Sequence, residues 1–444
     1  MISVYTSTPR LLLGAIPVFL SSSLAAAPLI QEGALQVETT LSGSAAWIHS
    51  HNANFGLGRL DLRSGKIDNE TNSWQEYALQ PGINFSYKYS EDWTWLGGLS
   101  VVANTTQGGS DPGGYTRSGD GRASVEQAYL GFQTGAWKVT GGSQSFVVGN
   151  GFILADGNVD SFGEGGYWAA PRSTFRDGLV VQWQGSGLTA QGFSLRAKPY
   201  NGDVRFNGVN VDYQWGDYAQ LGAMAFKVDS LDSRLDRVQP RDGMKVYNVR
   251  ALNAHLPGAE ALTFNAEASV QKGTNGAYDY DTKAWYAGAA YEFSSLAYPT
   301  TLSYRYASFS GDGDPSDTKL SGWDALSKGY TDWGTWLIGD VVGNYVLFNS
   351  NENVHSVQLK TALSQAFTVG ALHHQFSLDK KNYQGIPVSD KLFADESTVY
   401  LQWTPDAHWF VVAAYNFATP KAAAKQALGN DDFDSFELYA AFKY

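Results

Sequence analysis

Residues 76–89, EYALQPGINFSYKY, place Tyr77, Leu79, Ile83, Phe85, Tyr87 and Tyr89 on one parity and Glu76, Gln80, Asn84, Ser86 and Lys88 on the other. A period of two predicts a β-strand with one apolar and one polar face, whereas an amphipathic helix repeats near 3.6 residues. The chain closes on the same alternation. Phe436, Leu438, Ala440, Phe442 and Tyr444 interleave with Ser435, Glu437, Tyr439, Ala441 and Lys443. Between these ends the pattern predicts strands near 35–48, 75–90, 91–106, 122–134, 136–147, 177–185, 187–197, 203–215 and 217–229. It continues near 243–255, 259–272, 279–294, 297–309, 353–364, 366–378, 394–404, 407–417 and 433–444. That makes 18 segments of about ten residues or slightly more, the length a β-strand needs to cross a bilayer.

The connections alternate in length. Tight links such as Glu91-Asp92, Gly135, Ser186, Gly216 and Pro405-Asp406 follow even strands, and long ones (49–74, 107–121, 148–176, 230–242, 310–352, 379–393, 418–432) follow most odd strands. Short turns on one rim and long loops on the other predict an all-β antiparallel transmembrane barrel with a periplasmic short side and an extracellular long side. Trp93, Trp95, Tyr213, Trp215, Trp403 and Trp409 flank the tight turns, at the interfacial depth that Trp and Tyr prefer.

Composition narrows the class. Charged residues are 17% and aromatics 14% of the chain, with 48 Gly and no Cys. A chain without cysteine has no disulfide framework, no thiolate metal site and no cysteine nucleophile. With 43 acids against 31 bases, nucleic acid is excluded as a general partner, because phosphate contacts need a basic face. At the N-terminus Arg10 precedes the apolar run Leu11–Leu20 and the small residues SSSLAAA. That order predicts a cleaved signal peptide over residues 1–25, leaving a barrel over 26–444. Removing Arg10 takes the net charge from −12 to −13. No later segment offers 18 consecutive apolar residues, so no transmembrane helix is expected.

If the apolar parity faces lipid, the other faces the lumen. This assigns Lys88, Arg176, Arg196, Lys227, Arg250, Arg305 and Lys360 to the interior, with Arg205 added although Gly208 suggests a bulge. The interior acids read as Glu38, Glu76, Asp212, Glu267, Glu292 and Glu437. An arginine facing hydrocarbon near the midplane costs about 2–4 kcal/mol, which favours the inward assignment. Two readings of the bases stay open: a ring that selects anions, or partners of the lumen acids that stiffen the wall.

Other chemistry is thin. GDGDPSD, Gly311 to Asp317, is dense in carboxylates but lacks EF-hand spacing and reads as a solvated loop. His373 and His374 are neighbours on a strand and so point to opposite faces. No Gly-x-Ser-x-Gly elbow and no HExxH occurs, so no enzyme activity, metal or cofactor is expected. Segment 310–352 holds Trp323, Tyr330, Trp333 and Trp336. It is a candidate loop that folds inwards or covers the mouth, since a connection this long without a task is uncommon.

GGSQSFVVGNGFILADG (Gly141 to Gly157), YWAAPRSTFRDG (Tyr167 to Gly178), GWDALSKGYTDWGTWLIGDVVGNYVLFNSN (Gly322 to Asn351) and LFADESTVYLQW (Leu392 to Trp403) resemble the alginate-export family of outer-membrane barrels over most of the mature chain. The resemblance implies an 18-stranded monomeric barrel that secretes a polyanion through an arginine-rich pore. The chain has fewer candidate lumen arginines than that implies. The expected function is passive passage of anionic solutes through the outer membrane of a Gram-negative bacterium, first of all export of an acidic oligo- or polysaccharide such as alginate. The alternatives are an uptake porin for small anionic solutes and, lower, a hydrolase or an adhesin. Expected partners are outer-membrane lipid and lipopolysaccharide, and the barrel-assembly machinery through strand 433–444, whose terminal aromatic resembles an outer-membrane targeting signal.

Overall fold

The computed structural model describes residues 28–444 except 62–63, 69–70, 159–163, 200–201, 315, 328–341 and 344–345. The predicted leader, 1–25, lies outside the described residues. Eighteen antiparallel strands close into one barrel. They are β1 (Leu35–His51), β2 (Asn72–Lys88), β3 (Trp93–Gly108), β4 (Gly121–Thr134), β5 (Trp137–Gln144), β6 (Phe175–Gly185), β7 (Leu188–Arg196), β8 (Val204–Trp215) and β9 (Ala219–Ser230). They continue as β10 (Met244–Ala254), β11 (Leu262–Thr274), β12 (Asp279–Phe293), β13 (Thr300–Phe309), β14 (Glu352–Ala362), β15 (Phe367–Leu378), β16 (Leu392–Trp403), β17 (Trp409–Pro420) and β18 (Phe433–Lys443). Each pairs with its sequence neighbour, and β18 returns to β1 through a register running from Ser42↔Lys443 to His51↔Asp434. Two short strands, Pro28–Glu32 and Lys319–Leu320, add to β1 and β12. Closure leaves no unpaired edge in the barrel wall.

The outward parity carries Leu79, Ile83, Leu99, Leu130, Leu179, Val209, Val249, Leu359 and Val399, all large, apolar and exposed. An apolar belt of this extent is incompatible with water and fits the hydrocarbon layer. Trp95, Tyr213, Trp215, Trp403 and Trp409 are exposed beside the tight turns, which places those turns at one membrane interface. The chain is an outer-membrane barrel. Among the described residues no helix is long and apolar enough to cross a membrane.

The buried apolar core lies inside the barrel. Phe146, Phe152, Leu154, Phe193, Phe206, Phe226, Tyr286, Phe309, Trp323 and Val346 belong to one cluster, so parts of the connections β5–β6 and β13–β14 fold into the extracellular half of the lumen. That cluster corrects the lumen assignment. Phe193 and Leu195 on β7, Val204 and Phe206 on β8, and Phe226 and Val228 on β9 are buried inward, because the in-folded segment packs on them. Arg196, Arg205 and Lys227 occupy the opposite parity and point outward. No bulge occurs at Gly208: the β8–β9 register runs unbroken from Val204↔Ser230 to Trp215↔Ala219.

Candidate functional site

The segment between β5 and β6 is held in the lumen by carboxylates of the wall. Glu76 of β2, fully buried, accepts the backbone N–H of Trp168 and of Ala169, each at 2.8 Å. Glu126 of β4 accepts the N–H of Ser173 at 2.8 Å, that of Thr174 at 2.9 Å and the side-chain amide of Asn158 at 2.7 Å. Glu126 faces inward because the β3–β4 register slips there, from Ser100↔Gln127 to Val101↔Val125. A bulge re-aims a side chain in this way, and a strict alternation count passes over it. Arg172, also buried, donates to the Gly165 carbonyl at 2.9 Å and to Asn104 Oδ1 at 3.1 Å. Gly165 has φ +72° and lies against Asp120, whose carbonyl oxygen would be 2.6 Å from an added Cβ. A side chain does not fit this turn.

The other segment enters between β13 and β14. Trp323 is buried and its N–H donates to the Ser310 carbonyl at 2.8 Å. Arg241 clamps Asp324 in a bidentate pair, Nε to Oδ2 at 2.5 Å and Nη2 to Oδ1 at 2.6 Å. Gln271 of β11 donates to the Asp324 carbonyl at 2.6 Å and accepts its N–H at 3.2 Å. The two segments meet inside the barrel. Leu154 and Ser327 form a parallel bridge, and the Ser327 carbonyl accepts the N–H of Ala155 at 2.8 Å and of Asp156 at 2.9 Å. Phe152 closes the junction against Tyr286, Phe309 and Trp323, with ring centroids 5.3, 5.9 and 6.4 Å away. Tyr330, Trp333 and Trp336 lie outside the described residues.

Asp156 sits at this junction. Burial pushes its carboxyl up to about 7, the nearby Glu126 adds to the shift, and the Asn158 N–H, Arg172 and Lys198 oppose it.

The remaining predicted bases are scattered. Arg250 faces inward, but its side chain is fully buried beneath Gly149, where an added Cβ would be 2.9 Å from Arg250 Cδ. It donates to Asn210 Oδ1 at 2.7 Å, to Asp212, and to Asn248 Oδ1 at 3.2 Å. Asn248 donates in turn to Glu267 at 2.8 Å. Arg250 is therefore a wall residue under the loop and not a member of an open ring. Arg305 is half-buried, with its guanidinium 5.8 Å from the centroid of the Tyr286 ring. Lys360 is half-buried on the lumen face of β14, in cross-strand register with Gly370 and, beyond it, Tyr400. Lys88 is exposed on the inward parity at the short-turn rim. Arg176 sits where the β5–β6 register slips between Gly142↔Gly178 and Gln144↔Phe175, half-buried beside the buried Phe175.

Sequence reasoning missed Glu126, Asn158, Arg172 and the Arg241–Asp324 pair as interior polar anchors. His374 is buried against Ser356 at 2.8 Å and His373 is outside on Ser397 at 2.9 Å. Among the described residues no cluster of three or more His, Cys, Asp or Glu could hold a metal ion.

No protein-family model and no curated protein matches the sequence. The fold is similar to that of OccK1 (OpdK) of Pseudomonas aeruginosa, with a TM-score of 0.59 at 14% identity over 92% of this chain and 98% of that one. OpdK solved with vanillate aligns with the same values. OccAB2 of Acinetobacter baumannii aligns at TM-score 0.59 and 9% identity, over 92% of this chain and 98% of that one. At these identities the likeness concerns the fold and does not by itself show the alginate-export family that the loop motifs resemble. Closed barrel, lipid-facing belt and in-folded loops together make this chain an outer-membrane β-barrel of porin fold.

Proposed function

We propose that the protein is a selective diffusion channel for small organic anions, of carboxylate type, and does not export a polymer. The observation that carries this reading is the junction of Leu154–Asp156 with Ser327, where two loops meet inside the lumen and narrow it. A polyanion exporter needs a wide path lined by accessible bases. Here Arg250 is covered, and Glu76, Glu126 and Glu267 are buried on the same interior face. Arg305 and Lys360, half-buried and inward, would favour a passing anion, as basic side chains in a pore do. The similar fold of OpdK, solved with vanillate, supports a small carboxylate as solute. A channel of this kind performs no bond chemistry, so the reading also speaks against the hydrolase alternative.

The test is single-channel recording of the refolded barrel across a salt gradient, with monocarboxylates and then oligouronates added to one side. We expect a small, anion-preferring conductance that an aromatic monocarboxylate reduces and a long oligouronate leaves unchanged. Transport of the oligouronate would overturn the reading in favour of export.

A further inference from the structure

The bases excluded from the lumen share one part of the outer wall. Lys227 on β9, Lys245 on β10 and Lys272 on β11 stand directly opposite one another in the ladder, and Lys272 faces Asp281 on β12. All three lysines point outward and are exposed. Arg205 on β8 and Lys283 on β12 flank the row on the same outer face. Every one lies near the long-loop end of its strand, beyond the exposed apolar residues Val209, Tyr247, Val249, Val270 and Trp285 of the lipid-facing belt.

Like charges placed directly opposite each other destabilise a sheet, yet three lysines are adjacent here. Internal carboxylates answer part of the charge. Lys227 pairs with Asp229 at 2.5 Å, Lys272 pairs with Asp281, and Lys319 shares Asp281 at 2.8 Å. Among the described residues Lys245 and Lys283 have no carboxylate within ion-pair distance, and Arg205 donates to the Asp177 carbonyl at 3.2 Å and to Ser194 Oγ at 3.1 Å. Against these six cations stand Asp229, Asp279 and Asp281, and opposite Arg205 the outward Arg196 brings its own partners, Asp177 and Asp203. On the opposite side no row of bases crosses the strands: the outer ends of β14 to β18 present His355, Gln375, Asp395, Thr419 and Asp434, and the bases there, Lys380, Lys381, Lys391 and Lys421, lie in the connections. A chain of net charge −12 thus carries a row of exposed bases directly across adjacent strands of its wall, at one membrane interface.

We propose that this row is a docking site for a phosphorylated, multiply acylated glycolipid of the outer leaflet. Lys227, Lys245 and Lys272 span about 10 Å across three strands, and they take its phosphates while their aliphatic stems lie along the wall. Arg205 and Lys283 extend the cationic edge, and the acyl chains run down over Tyr247, Val249 and Val270. The side-wall position, with apolar surface immediately below, selects a membrane-anchored phosphate over a free one. The inference is independent of what passes through the lumen.

The experiment is a lipid titration of the full, refolded barrel in detergent, with bound lipid counted by native mass spectrometry. The probes are a bis-phosphorylated lipid A, its dephosphorylated form and phosphatidylglycerol. The wild type should bind the phosphorylated glycolipid more tightly than both comparators. Lys227→Gln/Lys245→Gln/Lys272→Gln should weaken it about ten-fold or more, because each basic side chain near an anionic lipid surface contributes roughly five-fold and two of the lysines also hold a carboxylate. Lys245→Glu alone, which leaves both ion pairs in place, should weaken it several-fold and stands in if the triple variant fails to refold. Unchanged affinity in the variants overturns the proposal. So does equal binding of the dephosphorylated form, which would mean acyl packing only, or of phosphatidylglycerol, which would mean general charge attraction only.

Discussion

The two segments that enter the lumen are fastened by different chemistry. The one between β5 and β6 is gripped by its backbone: Glu76 and Glu126 collect the N–H groups of Trp168, Ala169, Ser173 and Thr174. In the described part of the segment between β13 and β14, Lys319–Leu320 pair with β12, and what reaches further into the lumen is gripped from the wall at Asp324, by Arg241 and Gln271. A carboxylate that binds backbone amides makes charge-assisted bonds and depends little on the loop's side chains, of which Glu126 also takes the Asn158 amide. An Arg–Asp clamp fixes one loop residue and leaves its neighbours freer to move. The first segment should therefore act as a fixed constriction and the second as the element that yields.

The largest effect should come from removing the first grip. Glu126→Ala leaves the N–H groups of Ser173 and Thr174 buried without their acceptor, at about 1–3 kcal/mol each. Combined with Glu76→Ala it should free the segment and raise single-channel conductance several-fold. If the double variant folds with wild-type conductance, these carboxylates do not hold the constriction.

Arg241→Ala should act less, because Gln271 still holds the Asp324 backbone at both its carbonyl and its N–H. Losing one partner of a buried pair costs about 3–5 kcal/mol when the other charge is stranded, and Asp324 keeps some solvent access. The expected change is more frequent brief openings at an unaltered main conductance level. A variant that instead opens as wide as the double Glu variant would erase the distinction between the two segments.

How much of this was legible follows from where alternation keeps its meaning. In the short-turn half one parity meets lipid and the other meets polar lumen, so Tyr213 and Val211 against Asp212 and Asn210 read correctly. In the long-loop half an apolar loop fills the lumen and both parities become apolar. Phe206 and Val204 are then as greasy inside as Val209 is outside. A polarity count mistakes that change of surroundings for a bulge at Gly208 and turns Arg205 the wrong way. A bulge that does occur, at Glu126, left too small a break in the pattern to be noticed. The loop length flagged 310–352 as an inward candidate; the partner segment, 148–176, was also long and carried two of the family-like motifs, but nothing in its residues said that it turns inward.

The smallest expected effect tests the seam between the segments. Asp156 donates its N–H to the Ser327 carbonyl, and burial raises its carboxyl from the ordinary carboxylate range to about 7. A raised carboxyl binds its proton more tightly folded than unfolded, so its stabilising contribution is present at low pH and is lost as pH rises through about 7. The seam should hold at about pH 6 and loosen at about pH 8, where the buried carboxylate is ionised beside Glu126. Single-channel traces should grow noisier across that interval in the wild type. In Asp156→Asn, which keeps the backbone bond and cannot ionise, they should stay quiet at both values. Equal pH dependence in the two proteins would move the titrating group elsewhere. A flat wild type would mean that the first segment's carboxylate grips hold the seam whatever the charge on Asp156.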